Sequence, residues 1–263
     1  MALRDYIKKG YTHIVDATAL YYWGKMYYPF VYLKRLYKHK CFFVWDYGTS
    51  HKKLHSSTYK KNRVMDEKKK EFFKDYNSVI KFVNYIVPSL YYKHYEADEI
   101  IASLIFVLKE ENPTEKIVIH TLDSDMYQLV SDDIVVYDYR KKKVITKRNF
   151  KRVVGIDLSL YILYKILVGD KSDNIQGILT KKEFFDLVEK QDEQIFDNKI
   201  VENIGTFFKN FYLVYLFPVP EIIEYLYAKL KTWQPDVSTL KSIVVRDRIM
   251  DLKRIVFEFD NFW

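Results

Sequence analysis

Three short β-rich runs in the first half of the chain each lead into an aspartate. His13-Ile14-Val15-Asp16 reads as a first strand and Cys41-Phe42-Phe43-Val44-Trp45-Asp46 as a second. Lys116-Ile117-Val118-Ile119-His120-Thr121 reads as a third, with Asp123 just beyond it. Asp133 to Tyr137 makes a fourth strand, and Lys143-Val144-Ile145 a short ribbon. Helical stretches lie between them, one through Tyr21–Tyr37 and one from Glu96 to Glu111. The second carries Ile100, Ile101, Leu104, Ile105 and Leu108 at the spacing of one buried face. This alternation predicts an α/β fold with a mainly parallel central sheet flanked by helices. Ligand sites in such sheets lie beyond the carboxyl ends of the strands, so the aspartates should share one side.

From about Asp157 the strand signal stops and helical periodicity takes over. Helices are expected over Leu158–Val168, Lys181–Lys190, Ile204–Leu216, Glu221–Leu230 and Leu240–Ile255. The expected division is an α/β core over 1–155 and a helical region over 156–263. Within the core, residues 47–75 form a polar, strongly basic excursion, read as a loop or a helical arch. A chain of 263 residues can bury a core without disulfides. The single cysteine, Cys41, excludes a disulfide framework and a cysteine-based zinc site, and fits a reducing compartment. Met1 to His13 lacks a secretion signal, and Phe211 to Ile223, the most apolar segment, is broken by Pro218 and Pro220. A cytoplasmic protein without membrane attachment is expected. Its 43 Lys+Arg against 35 Asp+Glu give a formal charge of +8, which suits a polyanionic partner.

Against that basic background the acids are concentrated. Asp125 follows Asp123 by two residues, so an extended turn would point both side chains the same way. Glu96, Asp98 and Glu99 fall in the first turn of a helix, where the dipole favours negative charge. Asp170 and Asp173 flank a turn after another helix. Carboxylates crowded together repel one another unless cations compensate them. Hard divalent ions, Mg²⁺ or Mn²⁺, fit an all-oxygen donor set. Each aspartate alone reads as a cap or turn residue; the joint pattern reads as a metal-dependent nuclease. An aspartyl-phosphate phosphatase would want Thr or Val where Tyr127 stands.

Four segments resemble the flap endonuclease, or 5′-nuclease, superfamily. They are Tyr59-Lys60-Lys61-Asn62-Arg63, the helix start Tyr95-Glu96-Ala97-Asp98-Glu99, Thr121-Leu122-Asp123-Ser124-Asp125-Met126-Tyr127-Gln128-Leu129, and Gly169-Asp170-Lys171-Ser172-Asp173-Asn174. Within the superfamily the chain is most similar to the phage ribonuclease H branch. The resemblance implies a PIN-like core, a basic arch and a helix–three-turn–helix. It implies two Mg²⁺ ions, replaceable by Mn²⁺, held by Asp16, Asp46, Glu96, Asp98 and Asp123 and by Asp123, Asp125, Asp170 and Asp173, with Glu99 outside them. Lys60 and Arg63, three apart on an arch helix, would contact the scissile phosphate. Tyr59, Lys61, Lys171, Lys181 and Lys182 would contact nucleic acid. The implied reaction removes 5′ flaps and RNA primers during replication and leaves a 5′-phosphate. The implied partners are DNA and RNA/DNA hybrid in forked, flapped or nicked form, engaged by a monomer. A sliding clamp and a single-strand-binding protein are candidate protein partners.

Two positions depart from the family. Ala17-Thr18 follow Asp16 where a glycine is usual. Gly177-Ile178-Leu179-Thr180-Lys181-Lys182 is a shortened turn with one glycine where many members have three. The lysines, rather than backbone amides, would then grip the duplex. The tail Val256 to Trp263 reads either as a clamp-docking peptide or, preferably, as a segment packed on the helical region. His51 and His55 lack a third ligand nearby and read as phosphate-facing or solvated. A PIN-like single-strand ribonuclease shares the sheet but lacks the arch and turn motifs. The intact acid set argues against a non-catalytic nucleic-acid-binding relative.

Overall fold

In the computed structural model, which describes residues 3–24, 27–61, 67–190 and 193–236, the apolar runs become a six-stranded sheet. The strands are β1 (Thr12–Asp16), β2 (Cys41–Val44), β3 (Ser89–Leu90), β4 (Ile117–Thr121), β5 (Ile134–Asp138) and β6 (Lys143–Ile145). Their order across the sheet is β3-β2-β1-β4-β5-β6. The first five run parallel, and β6 closes one edge antiparallel to β5. The chain moves outward from β1 through β2 to β3, then returns to place β4 on the other side of β1. The order therefore switches between β1 and β4, where open α/β sheets place ligand clefts.

Every residue of β1, β2 and β4 is buried, because helices cover both faces. Ile14, Phe42, Val44, Ile117 and Ile119 face one core, packed by the Ala97–Glu111 helix. Val15, Phe43 and Trp45, the alternate residues, face the other, packed by Ala17–Gly24, Tyr27–Leu36 and Tyr76–Asn84. Ile100, Ile101 and Leu104 are fully buried, each stabilising the fold by about 1.5–3 kcal/mol. The first of these cores continues into the helical half through Leu179, Phe184, Leu216, Ile222 and Leu226.

Leu158–Val168, Lys181–Lys190 and Lys143–Ile145 match their expected bounds. The other expected strands shift by a residue or two, and the expected Tyr21–Tyr37 helix consists of the two helices named above. Strand β3 and the Glu193–Glu202 helix are additions. In the basic excursion the described residues form two short helices, Lys52–His55 and Glu67–Phe72. The expected helix over Leu240–Ile255, the Val256–Trp263 tail and Arg63 lie outside the described residues.

Among the described residues no helix is long and apolar enough to cross a membrane.

Candidate functional site

The carboxyl ends of β1, β2 and β4 open into a cavity of about 430 Å³. Asp16, Asp46, Glu96, Asp98, Asp123 and Asp173 all line it, together with Lys60, Arg140 and Lys141. Asp16 ends β1; its Oδ2 accepts from Thr121 Oγ1 at 2.7 Å and its Oδ1 from the Ala19 amide at 3.0 Å. Asp46 follows β2 and accepts from the Ala97 amide at 2.7 Å, which docks the acidic helix start onto the sheet end. At that helix start, the Glu99 side chain accepts from the Glu96 amide at 3.1 Å. One carboxylate oxygen each from Glu96, Asp98 and Glu99 lie within 4.8 Å of one another.

Burial pushes Asp16 up to about 6, against the lowering effect of its two hydrogen bonds. Burial, then the charges of Glu96 and Asp16, push Asp46 up to about 7. Burial and the neighbouring Asp125 hold Asp123 well above the ordinary carboxylate range. Burial alone would raise Glu96 too, but the ammonium groups of Lys60 and Lys52 bring it down to about 2. The cavity thus holds more negative charge than its own cations compensate. An oxygen-only donor set with that deficit fits hard divalent cations.

Asp123 and Asp125 do not share an extended turn. Asp123 caps the short 3₁₀ helix Ser124–Leu129 and accepts from the Asp125 amide at 2.8 Å. That rotation sends Asp125 away from the cavity to Lys165, whose Nζ is 2.6 Å from Asp125 Oδ1 and also pairs with Asp170. Glu99 likewise turns from the cavity, with Oε1 3.5 Å from His51 Nε2.

Lys60 is not on a helix. It sits in a turn at φ 49°, its amide bonded to the Asp173 carbonyl at 2.9 Å, while Asn174 Nδ2 donates to Thr58 O at 2.8 Å. These bonds tie the excursion to the turn of the small hairpin β7 (Gly169–Asp170) and β8 (Ile175–Gln176). Tyr59, expected on the nucleic-acid side, is 2% exposed, and its hydroxyl donates to Glu96 Oε2 at 2.8 Å. Lys61, Lys171, Lys181 and Lys182 are exposed.

In the shortened turn the amides of Ile178 and Leu179 both donate to the Leu167 carbonyl. A Cβ at Gly177 would meet the Val168 carbonyl oxygen at 2.2 Å, so this glycine permits backbone packing within the turn.

Sequence reasoning missed three buried groups. Lys52, 2% exposed, places Nζ 3.3 Å from Asp98 Oδ2 and 3.5 Å from Glu96 Oε2. Lys165 had a signal, as the one charged residue in the Leu158–Val168 helix. Lys52, beside Lys53 in a basic run, had none. Asp138, at the end of β5, also lines the cavity and accepts from the Tyr127 hydroxyl.

Comparison with known proteins gives three concordant likenesses. A curated 5′-3′ exonuclease of Buchnera aphidicola subsp. Schizaphis graminum is 37% identical over 83 residues, which are 32% of this chain and 28% of that protein. The T5 D15 protein co-crystallised with metal ions superposes with a TM-score of 0.66 at 18% identity, over 93% of this chain and 98% of that one. The bacteriophage T5 D15 flap endonuclease in a pseudo-enzyme–product complex with DNA and metal ions superposes with a TM-score of 0.64 at 16% identity, over 93% and 98% of the two chains. The family model for the 5′-3′ exonuclease N-terminal resolvase-like domain matches residues 12–155, more than half of the sequence, and the chain belongs to that family.

Proposed function

We propose that the chain is a Mg²⁺-dependent, structure-specific 5′ nuclease that hydrolyses phosphodiester bonds at 5′ flaps, RNA primers and duplex 5′ ends during replication. The observation that carries this reading is the convergence of seven acids from several elements on one cavity at the sheet's switch point. Membership of the exonuclease family and the fold shared with a DNA- and metal-bound flap endonuclease support it.

Asp16, Asp46, Glu96, Asp98 and Asp123 would hold one ion; Asp123 and Asp173 would hold a second, joined by Asp125 and Asp170 once these part from Lys165, with Glu99 outside them. Bound there, the ions would neutralise the acids and polarise the scissile phosphate. The protein's own groups do the rest. Lys60 Nζ, 2.7 Å from Glu96 and 3.6 Å from Asp173, stands at the cavity edge. It would exchange those partners for phosphate oxygens and offset charge that grows during attack by water. Arg63 would act beside it. Lys61, Lys171, Lys181 and Lys182 would contact the phosphates of a flapped or nicked duplex, with a salt-sensitive affinity.

The deciding experiment is cleavage of a 5′-labelled flap and of an RNA-primed nicked duplex, in Mg²⁺ and in EDTA, with Asp125→Asn alongside. Metal-dependent release of 5′ products that is lost in the variant supports the reading. Tight binding without cleavage in either Mg²⁺ or Mn²⁺ overturns it.

A further inference from the structure

The irregular segment 215–219, between the helices Ile204–Val214 and Pro220–Thr232, lies outside the family-matched residues yet is fastened to the site. Buried backbone groups outside regular structure need partners, and here side chains of the acid-bearing elements supply them. Gln128 donates Nε2 to Val214 O at 3.0 Å and to Asp125 O at 2.9 Å, and its Oε1 accepts from the Leu216 amide at 3.1 Å. Ser103, fully buried, accepts from the Val219 amide at 2.9 Å and donates to Glu99 O at 2.8 Å. Just before the segment, Asn210, 1% exposed, donates Nδ2 to Ile166 O at 2.9 Å and to Gln176 O at 2.8 Å.

Each side chain bonds the backbone of a different acid-bearing element. Gln128 grips the turn of Asp123 and Asp125, Ser103 the helix start of Glu96, Asp98 and Glu99, and Asn210 the β7–β8 hairpin that carries Asp170 and Asp173. Apolar packing would tolerate small slides between these elements; directional hydrogen bonds to one shared segment, from Gln128 and Ser103 to its backbone and from its own Asn210 to the hairpin, do not. Mg²⁺ demands near-ideal octahedral geometry at about 2.0–2.1 Å, so slides of a few tenths of an ångström matter.

We propose that Gln128, Ser103 and Asn210 are positioning residues, which use the 210–219 backbone as a common gauge holding three acid-bearing elements in register for metal. The inference rests on the metal reading given above. It is tested on the full chain without DNA, by counting free Mn²⁺ with electron paramagnetic resonance well below each variant's melting temperature. Ser103→Ala, Gln128→Leu and Asn210→Ala are compared with wild type. Leu36→Ala, a cavity on the opposite face of the sheet, serves as a control destabilised at least as much.

The expected result is about tenfold weaker Mn²⁺ binding in whichever of the three variants fold, with Leu36→Ala binding as wild type does. Wild-type affinity in the folded gauge variants overturns the inference, as does an equal loss in Leu36→Ala. If any of the three fails to fold, the remaining ones decide. A wild-type chain that binds no Mn²⁺ overturns the metal reading itself, and this inference with it.

Discussion

Lys60 Nζ lies 2.7 Å from Glu96 Oε1, while the amide of the same residue donates to the Asp173 carbonyl at 2.9 Å. One residue from the basic excursion is thus anchored by its backbone to one acidic element and by its side chain to another. The left-handed turn at φ 49° makes both contacts possible at once. Replacing Lys60 with Ala is expected to lower the single-turnover cleavage rate by about 10²-fold or more, with DNA affinity in EDTA changed far less. A rate near wild type in rapid-quench measurements would remove Lys60 from the reaction.

Asp46 presents the converse case, a carboxylate whose charge the fold resists. Its folded-state value of about 7 lies above the ordinary 3.8. A raised acid favours folding while protonated, and that advantage is lost as pH rises through about 7. At pH 8 without metal, Asp46→Asn should therefore stabilise the chain, by on the order of 1–3 kcal/mol. Asparagine keeps the oxygen that accepts from the Ala97 amide. The same variant should lose cleavage. Urea denaturation in EDTA at pH 8 checks the first half; a less stable variant would mean that the Asp46 charge is compensated in the folded chain.

How far the sequence shows all this depends on the kind of signal. Apolar alternation marks β1, β2 and β4 because both faces of each are buried, and it brings the strand-end aspartates to one side without knowledge of loops. Two-residue β3, entered from Pro88, carries no periodicity to read. The direction of Asp125 was misread because the Asp123 cap tightens that turn, a choice made locally by one hydrogen bond. Lys52 is invisible as a site residue for another reason. Its partners Glu96 and Asp98 lie on an element brought alongside by tertiary packing, and a lysine in a basic run looks the same whether solvated or buried.

Lys165 holds Asp125 and Asp170 together. With its side chain 8% exposed, its loss leaves two carboxylates facing each other without compensation. Lys165→Met should cost about 3–5 kcal/mol in EDTA. Adding Mn²⁺ should recover part of that loss, since a divalent cation can take over the role of the ammonium group. Thermal melts of wild type and variant, with and without Mn²⁺, measure both. If the metal raises the variant's melting temperature no more than the wild type's, Asp125 and Asp170 do not face a metal position.

The last prediction concerns a pair remote from the acids in function. His13 Nδ1 and His120 Nε2 are 2.9 Å apart between adjacent strands, both fully buried. Around them lie Tyr32, Tyr137, Tyr139 and His39, and the charge of Arg35 acts on His120. Burial, then His39, lowers His13 from 6.5 to about 4, and burial, then His13, lowers His120 further. The folded chain therefore keeps the pair neutral while the unfolded chain takes up protons below about 6.5. Stability is full above that pH and falls as pH drops towards 4, by on the order of 3 kcal/mol from His13 alone. His120→Gln should flatten this decline relative to wild type between pH 6.5 and 4.5, whatever its effect at pH 8. Urea midpoints across that range decide it: parallel declines in the two proteins would place the acid sensitivity elsewhere.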